Sequence, residues 1–162
     1  MSCCPFNWSM IGAVLAGLAV ILGAFAAHGI DGYFAEKYDG QVKSIAGSEV
    51  PAAQKYLKDF KTGAEYQMYH ALALILVGFA GLTSQKKKLL NCAGWCFLLG
   101  IIFFSGSLYV LTLSGQTFWG AIAPIGGTLF IVGWFTFAAG ICCCGGDSNS
   151  EVLSAPETPS ST

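Results

Sequence analysis

Residues 89–146 read LLNCAGWCFLLGIIFFSGSLYVLTLSGQTFWGAIAPIGGTLFIVGWFTFAAGICCCGG, without one Asp, Glu, Lys or Arg. Such a run has no place in a water-soluble domain, where about a quarter of the residues are charged. It is also too long for one crossing of a bilayer, since about 20 helical residues at 1.5 Å each already cover roughly 30 Å of hydrocarbon. Ser114-Gly115-Gln116-Thr117 supplies a turn-like break. The run therefore predicts two membrane helices, near 89–113 and 118–141.

Upstream, Lys86-Lys87-Lys88 closes a second uncharged stretch, Tyr66 to Gln85, built around Ala71-Leu72-Ala73-Leu74-Ile75-Leu76-Val77. It predicts a helix near 66–85. Residues 1–30 also lack charge, and Ser9 to Ala27 is almost purely apolar, which predicts a helix near 9–28. A cleaved signal peptide ending at Ala24-Phe25-Ala26 is the competing reading of that run. It has no basic segment ahead of it, and its apolar part is too long. Lipid offers backbone amides no partners, so runs this apolar wind into helices.

The whole chain agrees with its parts. Of 162 residues, 54% are hydrophobic, 14% aromatic and 10% charged, with 21 Gly; mean hydropathy is +0.61. This composition excludes soluble globular and disordered classes. Eight Lys and no Arg stand against nine acids, a net charge of -1. No basic stripe is left for nucleic acid. The expected fold is all-α: an integral membrane four-helix bundle with an amphipathic segment before its second helix.

The segment 29–65 is expected to be a polar, solvated loop, holding six acids and five Lys between Asp31 and Glu65. Its second half carries a helical pattern. Ser48 and Glu49 precede Pro51, and Ala53, Tyr56, Leu57, Phe60 and Ala64 then recur at three- and four-residue steps. This helix is expected to run into the second span. The chain thus divides into a transmembrane unit, 1–146, and a tail, 147–162, whose Ser, Thr and Pro with three acids predict disorder.

Four crossings place both termini and the Lys86-Lys87-Lys88 turn on one side and the long loop on the other. Cys3, Cys4, Cys92, Cys96, Cys142, Cys143 and Cys144 all fall near the terminal side. Cysteines at a membrane edge suit S-palmitoylation on a cytosolic face, with Cys3, Cys4, Cys142, Cys143 and Cys144 as candidates. Unmodified, buried thiols are the plain alternative, and zinc chelation by Cys142-Cys143-Cys144 with Cys3-Cys4, or disulfides if that side is extracytoplasmic, is the remaining one. The termini are therefore expected in the cytosol. Cys92 and Cys96 are one turn apart but lack a matching pair elsewhere, so no metal is expected.

No acid or Lys lies inside the four spans, which argues against proton coupling through a buried carboxylate. The titratable exceptions are His28, closing the first helix, and His70, a turn into the second. They head a hypothetical polar cluster with Tyr66 and Tyr69, with Asp31, Glu65 and Tyr109 nearby. Such a pair can relay protons or bind an ion; equally, each imidazole can satisfy carbonyls at a helix end. Ser105-Gly106-Ser107 and Pro124-Ile125-Gly126-Gly127 predict kinks, adding Ser105 and Pro124 to the candidate binding residues. Hydroxyls such as Ser105 and Thr128 also commonly bond back to carbonyls. Small residues form two stripes: Gly12, Ala16, Ala19, Gly23 and Ala26 on the first helix, and Gly126, Gly133 and Gly140 on the fourth. These predict close helix packing.

No nucleophile stands at usable spacing from a base, so catalysis and cofactors are not expected. The expected role is a structural or interaction component, packing in the lipid bilayer with a second copy or with other membrane proteins. The alternative is a small transporter or channel-like protein, moving an ion or small solute past His28, His70, Ser105 and the Pro124 kink.

Ala24-Phe25-Ala26-Ala27-His28-Gly29 and Tyr66-Gln67-Met68-Tyr69-His70-Ala71-Leu72-Ala73-Leu74 carry a family likeness. So do Phe104-Ser105-Gly106-Ser107-Leu108-Tyr109 and Ala123-Pro124-Ile125-Gly126-Gly127-Thr128-Leu129 with Gly133-Trp134. In this order the motifs resemble the small four-helix membrane proteins called domain of unknown function 423, whose animal branch is transmembrane protein 256. The likeness runs from about residue 10 to 140. It implies a multi-pass membrane protein in which both histidines and the Pro-Gly-Gly stretch occupy motif positions, and it carries over no substrate or catalytic residue. The acidic tail, the cysteine clusters and a longer loop around Asp39 to Val50 depart from shorter members.

Overall fold

The uncharged runs do become helices. The computed structural model describes residues 7–45 and 47–142. In chain order its elements are α1 (Trp8–His28), α2 (Ile30–Lys37), β1 (Val42–Ile45), β2 (Ser48–Pro51), α3 (Ala52–Thr83), α4 (Lys87–Ile101), α5 (Ser107–Ser114) and α6 (Ala123–Ile141). One π-helical turn, Ile102–Gly106, joins α4 to α5, and a 3-10 turn, Thr117–Ala121, leads into α6. Four helical stretches, Trp8–His28, Ala52–Thr83, Lys87–Ser114 and Thr117–Ile141, are long and apolar enough to cross a membrane. The amphipathic segment and the second span are one continuous helix of 32 residues.

Residues 29–51 are more ordered than the loop expected there. Ile30, Phe34 and Tyr38 recur every four residues and are buried against Tyr56 and Phe60 of α3, Leu108 and Leu111 of α5, and Ala123. The charges on either side hide that short apolar stripe in the sequence. After it, β1 and β2 pair antiparallel, Val42 opposite Pro51 and Ile45 opposite Ser48, around Gly47 at φ +84°. A side chain at Gly47 would be strained, because positive φ crowds a Cβ.

Both ends of the bundle are closed by donors to helix-terminal carbonyls, which have no partner within their own helix. At the end of α5, Tyr38 Oη donates to Thr112 O (2.8 Å), Tyr56 Oη to Gly115 O (3.4 Å), and Lys37 Nζ to Leu113 O. A hydrogen bond with Tyr33 raises the Lys37 pKa and keeps that donor charged. At the end of α6, Ser84 Oγ donates to Gly140 O (3.0 Å) and Lys86 Nζ to Ala139 O and Cys142 O (3.3 and 3.1 Å).

α3 is the central helix. It packs on α1 along one flank and on α4 and α5 along the other, while α6 packs chiefly on α4 and the π-helical turn and only lightly on α3. A second buried cluster, with Trp8, Leu74, Val77, Leu90 and Phe97, fills the end opposite α2. The light contact between α3 and α6 leaves a groove between them.

Candidate functional site: a lateral groove between α3 and α6

The groove has a volume of about 750 Å³ and is an open cleft rather than a closed cavity. α3 contributes Tyr66, Tyr69 and His70, and the π-helical turn contributes Phe104. α6 contributes its first turns, Pro124, Gly127 and Thr128, and then Phe130, Ile131 and Trp134. Four residues singled out from sequence, Tyr66, Tyr69, His70 and Pro124, therefore meet in one place. Their meeting follows from helical spacing: Tyr66, Tyr69 and His70 share one face of α3.

His70 forms the inner wall and is only 5% exposed. Its ring stacks on Phe130, with centroids 3.4 Å apart and planes 6° apart. Nδ1 lies 2.8 Å from Tyr66 O, and Trp134 Nε1 lies 3.2 Å from Nε2. An indole N–H only donates and a carbonyl only accepts. Nε2 must therefore carry the lone pair and Nδ1 the hydrogen, so the neutral Nδ1–H tautomer satisfies both nitrogens. Helix α3 thereby reaches across to α6.

The exposed face of α3 changes character beside this wall. Lys58, Lys61 and Glu65 are exposed on it, then come Tyr66 and Tyr69, 39% and 55% exposed, then Leu72, Leu76 and Phe79. The groove thus begins at a charged-to-apolar boundary and runs inward. Among the described residues neither phenol hydroxyl has a hydrogen-bond partner. Thr128 Oγ donates to Pro124 O (3.0 Å), the back-bonding that the sequence suggested.

The other candidates fall elsewhere. His28 is exposed at the end of α1. Antiparallel pairing, set by Ser9 on Ile75 O and by Gln67 on Leu15 O, puts it about four helical turns from His70. The structure does not bring the two histidines together. Tyr109 donates to Gln67 Oε1 (3.0 Å), whose Nε2 donates to Leu15 O (2.9 Å), tying α5, α3 and α1 together rather than joining His70. Asp31 accepts from Gly32 N (2.9 Å) near the α1 end. Ser105 is fully buried in the π-helical turn, does not line the groove, and its hydroxyl has no partner among the described residues. The distortion expected at Ser105-Gly106-Ser107 takes the form of the π-helical turn in the third span, whereas Pro124, expected to kink the fourth helix, sits in the first turn of α6, where its missing N–H costs no hydrogen bond.

Of the packing candidates, Gly12, Gly126, Gly133 and Gly140 are buried, and Ala16 and Gly23 are half-buried. Cys142 is an exposed thiol; Cys3, Cys4, Cys143 and Cys144 lie outside the described residues. Among the described residues no three His, Cys, Asp or Glu side chains are grouped to hold a metal ion. Sequence reasoning missed Phe104, Phe130, Ile131 and Trp134 as groove residues, whereas Gly127 lay in the Pro124-Ile125-Gly126-Gly127 stretch it singled out. The spacing of Gly127, Phe130, Ile131 and Trp134 at three and four residues was the available signal.

The family profile described as a protein of unknown function, DUF423, matches residues 22–127. A UPF0382 membrane protein of Staphylococcus haemolyticus is 40% identical over 126 residues, covering 77% of this chain and 86% of that protein. The UPF0382 membrane protein YwdK of Bacillus subtilis is 40% identical over 125 residues, 77% of this chain and 87% of YwdK. A UPF0382 membrane protein of Haemophilus influenzae is 40% identical over 121 residues, 75% of this chain and 82% of that protein. No solved structure matches the chain. With four helices able to cross a membrane and these relatives, the chain belongs to the DUF423 family of membrane proteins.

Proposed function

We propose that this protein is a non-enzymatic interaction component of a lipid bilayer and that its working surface is the groove between α3 and α6. The supporting observation is that the groove is pre-built. Its wall, His70, is held by Tyr66 O, Trp134 and the Phe130 ring, so a partner meets a rigid surface. A preorganised site avoids the entropy cost of ordering its side chains on binding. A route for an ion past both histidines has less support, because His28 stands apart and both His70 nitrogens are already engaged. In this reading both termini face the cytosol and the membrane-edge cysteines are sites for acylation; the acidic tail, 147–162, lies outside the described residues.

Gly127→Leu is the test. A Cβ at Gly127 would meet only the Phe104 ring, at 3.9 Å, so a leucine there fills the groove without disturbing the packing. The protein is extracted in mild detergent, sized, and its co-purifying chains and lipids identified by mass spectrometry. A companion retained by the parent protein and lost from Gly127→Leu is expected; identical companions for both would remove the groove as working surface. Impermeant thiol reagents on intact cells should leave Cys142 unlabelled, and labelling from outside would reverse the orientation.

A further inference from the structure

The polar and apolar parts of the groove are arranged for a particular chemistry. No charged side chain lines it, so a charged headgroup would enter without a counter-ion, at a desolvation cost. Its unpartnered polar groups are the hydroxyls of Tyr66 and Tyr69, two O–H donors at the charged-to-apolar boundary of α3. At the edge of hydrocarbon an O–H gains from an acceptor. The wall behind them is a tier of rings: Tyr66, His70 and Phe130 lie within 32° of one another. His70 and Phe130 are stacked on each other and nearly buried, so the rings open to a flat ligand are those in front of them, Tyr66, Tyr69 and Trp134. Inward, Ile131 and Trp134 continue as apolar wall, 60% and 42% exposed. The volume, about 750 Å³, is within the roughly 300–1,000 Å³ of small-molecule sites.

We propose that this groove binds a neutral, flat, carbonyl-bearing ring on an apolar tail, that is, a lipid-soluble quinone. Its carbonyl oxygens accept from Tyr66 and Tyr69, its ring lies against the exposed Tyr66 ring that the buried His70–Phe130 stack backs, and its tail runs along Ile131 and Trp134. A saturated acyl chain offers no ring to stack, and a fatty-acid carboxylate would need a cation that the groove lacks. The proposal rests on the groove being the working surface and names its occupant.

The test uses the full chain in phosphatidylcholine nanodiscs with a photoreactive azidoquinone, labelled sites being mapped by mass spectrometry. Unlabelled short-chain benzoquinone, cholesterol and palmitic acid are the competitors. Label is expected within 66–70 and 124–134, displaced by the benzoquinone and not by the other two. Tyr66→Phe with Tyr69→Phe, which keeps both rings and removes both donors, should weaken competition by about tenfold. Gly127→Leu should abolish the labelling. Label spread over lipid-facing positions such as Phe79 and Phe135, or label not displaced by benzoquinone, would overturn the proposal, as would unchanged competition in the double Phe variant. Equal displacement by cholesterol or palmitic acid would also overturn the quinone assignment, yet would leave the groove as a binding surface. A groove-independent set of companions in the Gly127→Leu extraction is what would remove that underlying reading.

Discussion

On α6, Gly126, Gly133 and Gly140 each receive a bulky neighbour: Phe104 backbone and Cβ, the Phe97 ring, and the Leu90 side chain. On α1 the corresponding stripe divides. Gly12 presses against Ala71 O and Ile75 of α3, and Ala19 and Ala26 are buried at the seven-residue steps that follow. Gly23, and Gly17 beside the stripe, have open space where a Cβ would point. The two stripes read alike in sequence because small residues recur in both. They differ because α6 is met by protruding side chains from α4 and the π-helical turn, whereas α1 is met on one narrow line by α3. A small residue is required where something protrudes into its space, and its spacing alone does not say whether anything does.

Substitutions can break or sharpen this contrast. Gly126→Leu should be the most damaging, at about 3 kcal/mol or more, since the clash is with Phe104 backbone atoms that cannot turn away. The expected readout is loss of monodisperse protein after detergent extraction; near-parental recovery would mean that α6 is free to shift. Gly12→Leu should cost nearly as much, about 3 kcal/mol, because Ala71 O and Ile75 N are backbone atoms too and only the Ile75 side chain can yield. A lowered thermal midpoint in detergent measures it, and a loss larger than that of Gly126→Leu would invert the comparison.

Trp134→Phe tests whether the α6 seam also depends on its polar link. It keeps a ring beside Phe97 and removes the donor to His70 Nε2, for an expected loss of about 1 kcal/mol. Nitrogen NMR of labelled His70 should then show Nε2 losing its hydrogen-bonded shift while Nδ1 stays protonated. Gly23→Leu should change stability by no more than about 0.5 kcal/mol, since its side chain enters open space. A clear drop in its thermal midpoint would reveal a neighbour on α1 that the single chain lacks.

Within the fold, legibility followed the range of the interaction. The spans could be read because the cost of charge in hydrocarbon acts on each residue separately, so an uncharged run such as 89–146 identifies itself. The continuation of α3 back to Ala52 was also readable, since Tyr56, Phe60 and Ala64 repeat within one helix. The α2 segment was not: Ile30, Phe34 and Tyr38 gain their burial from Tyr56, Phe60 and Leu111, which are remote in sequence. The same holds for the groove. Tyr66, Tyr69 and His70 were legible as one helical face, but their partners on α6 were not, and the grouping of His28 with them fails because α3 begins at Ala52, which sets His70 in mid-helix, opposite the first half of α1.

The sequence by itself determined that this is a four-span helical membrane protein, because hydrophobicity and backbone hydrogen bonding are properties of each segment. It also determined that the runs 9–28, 66–85, 89–113 and 118–141 hold no acid or lysine and that small residues line two helices. Only the tertiary structure decided which small residues are needed, that His70 is locked between Tyr66 O, Trp134 and Phe130, and that α3 and α6 part to leave a groove. Those features depend on which faces of distant helices meet, and that choice is made by shape complementarity summed over the whole bundle rather than by any one stretch of chain.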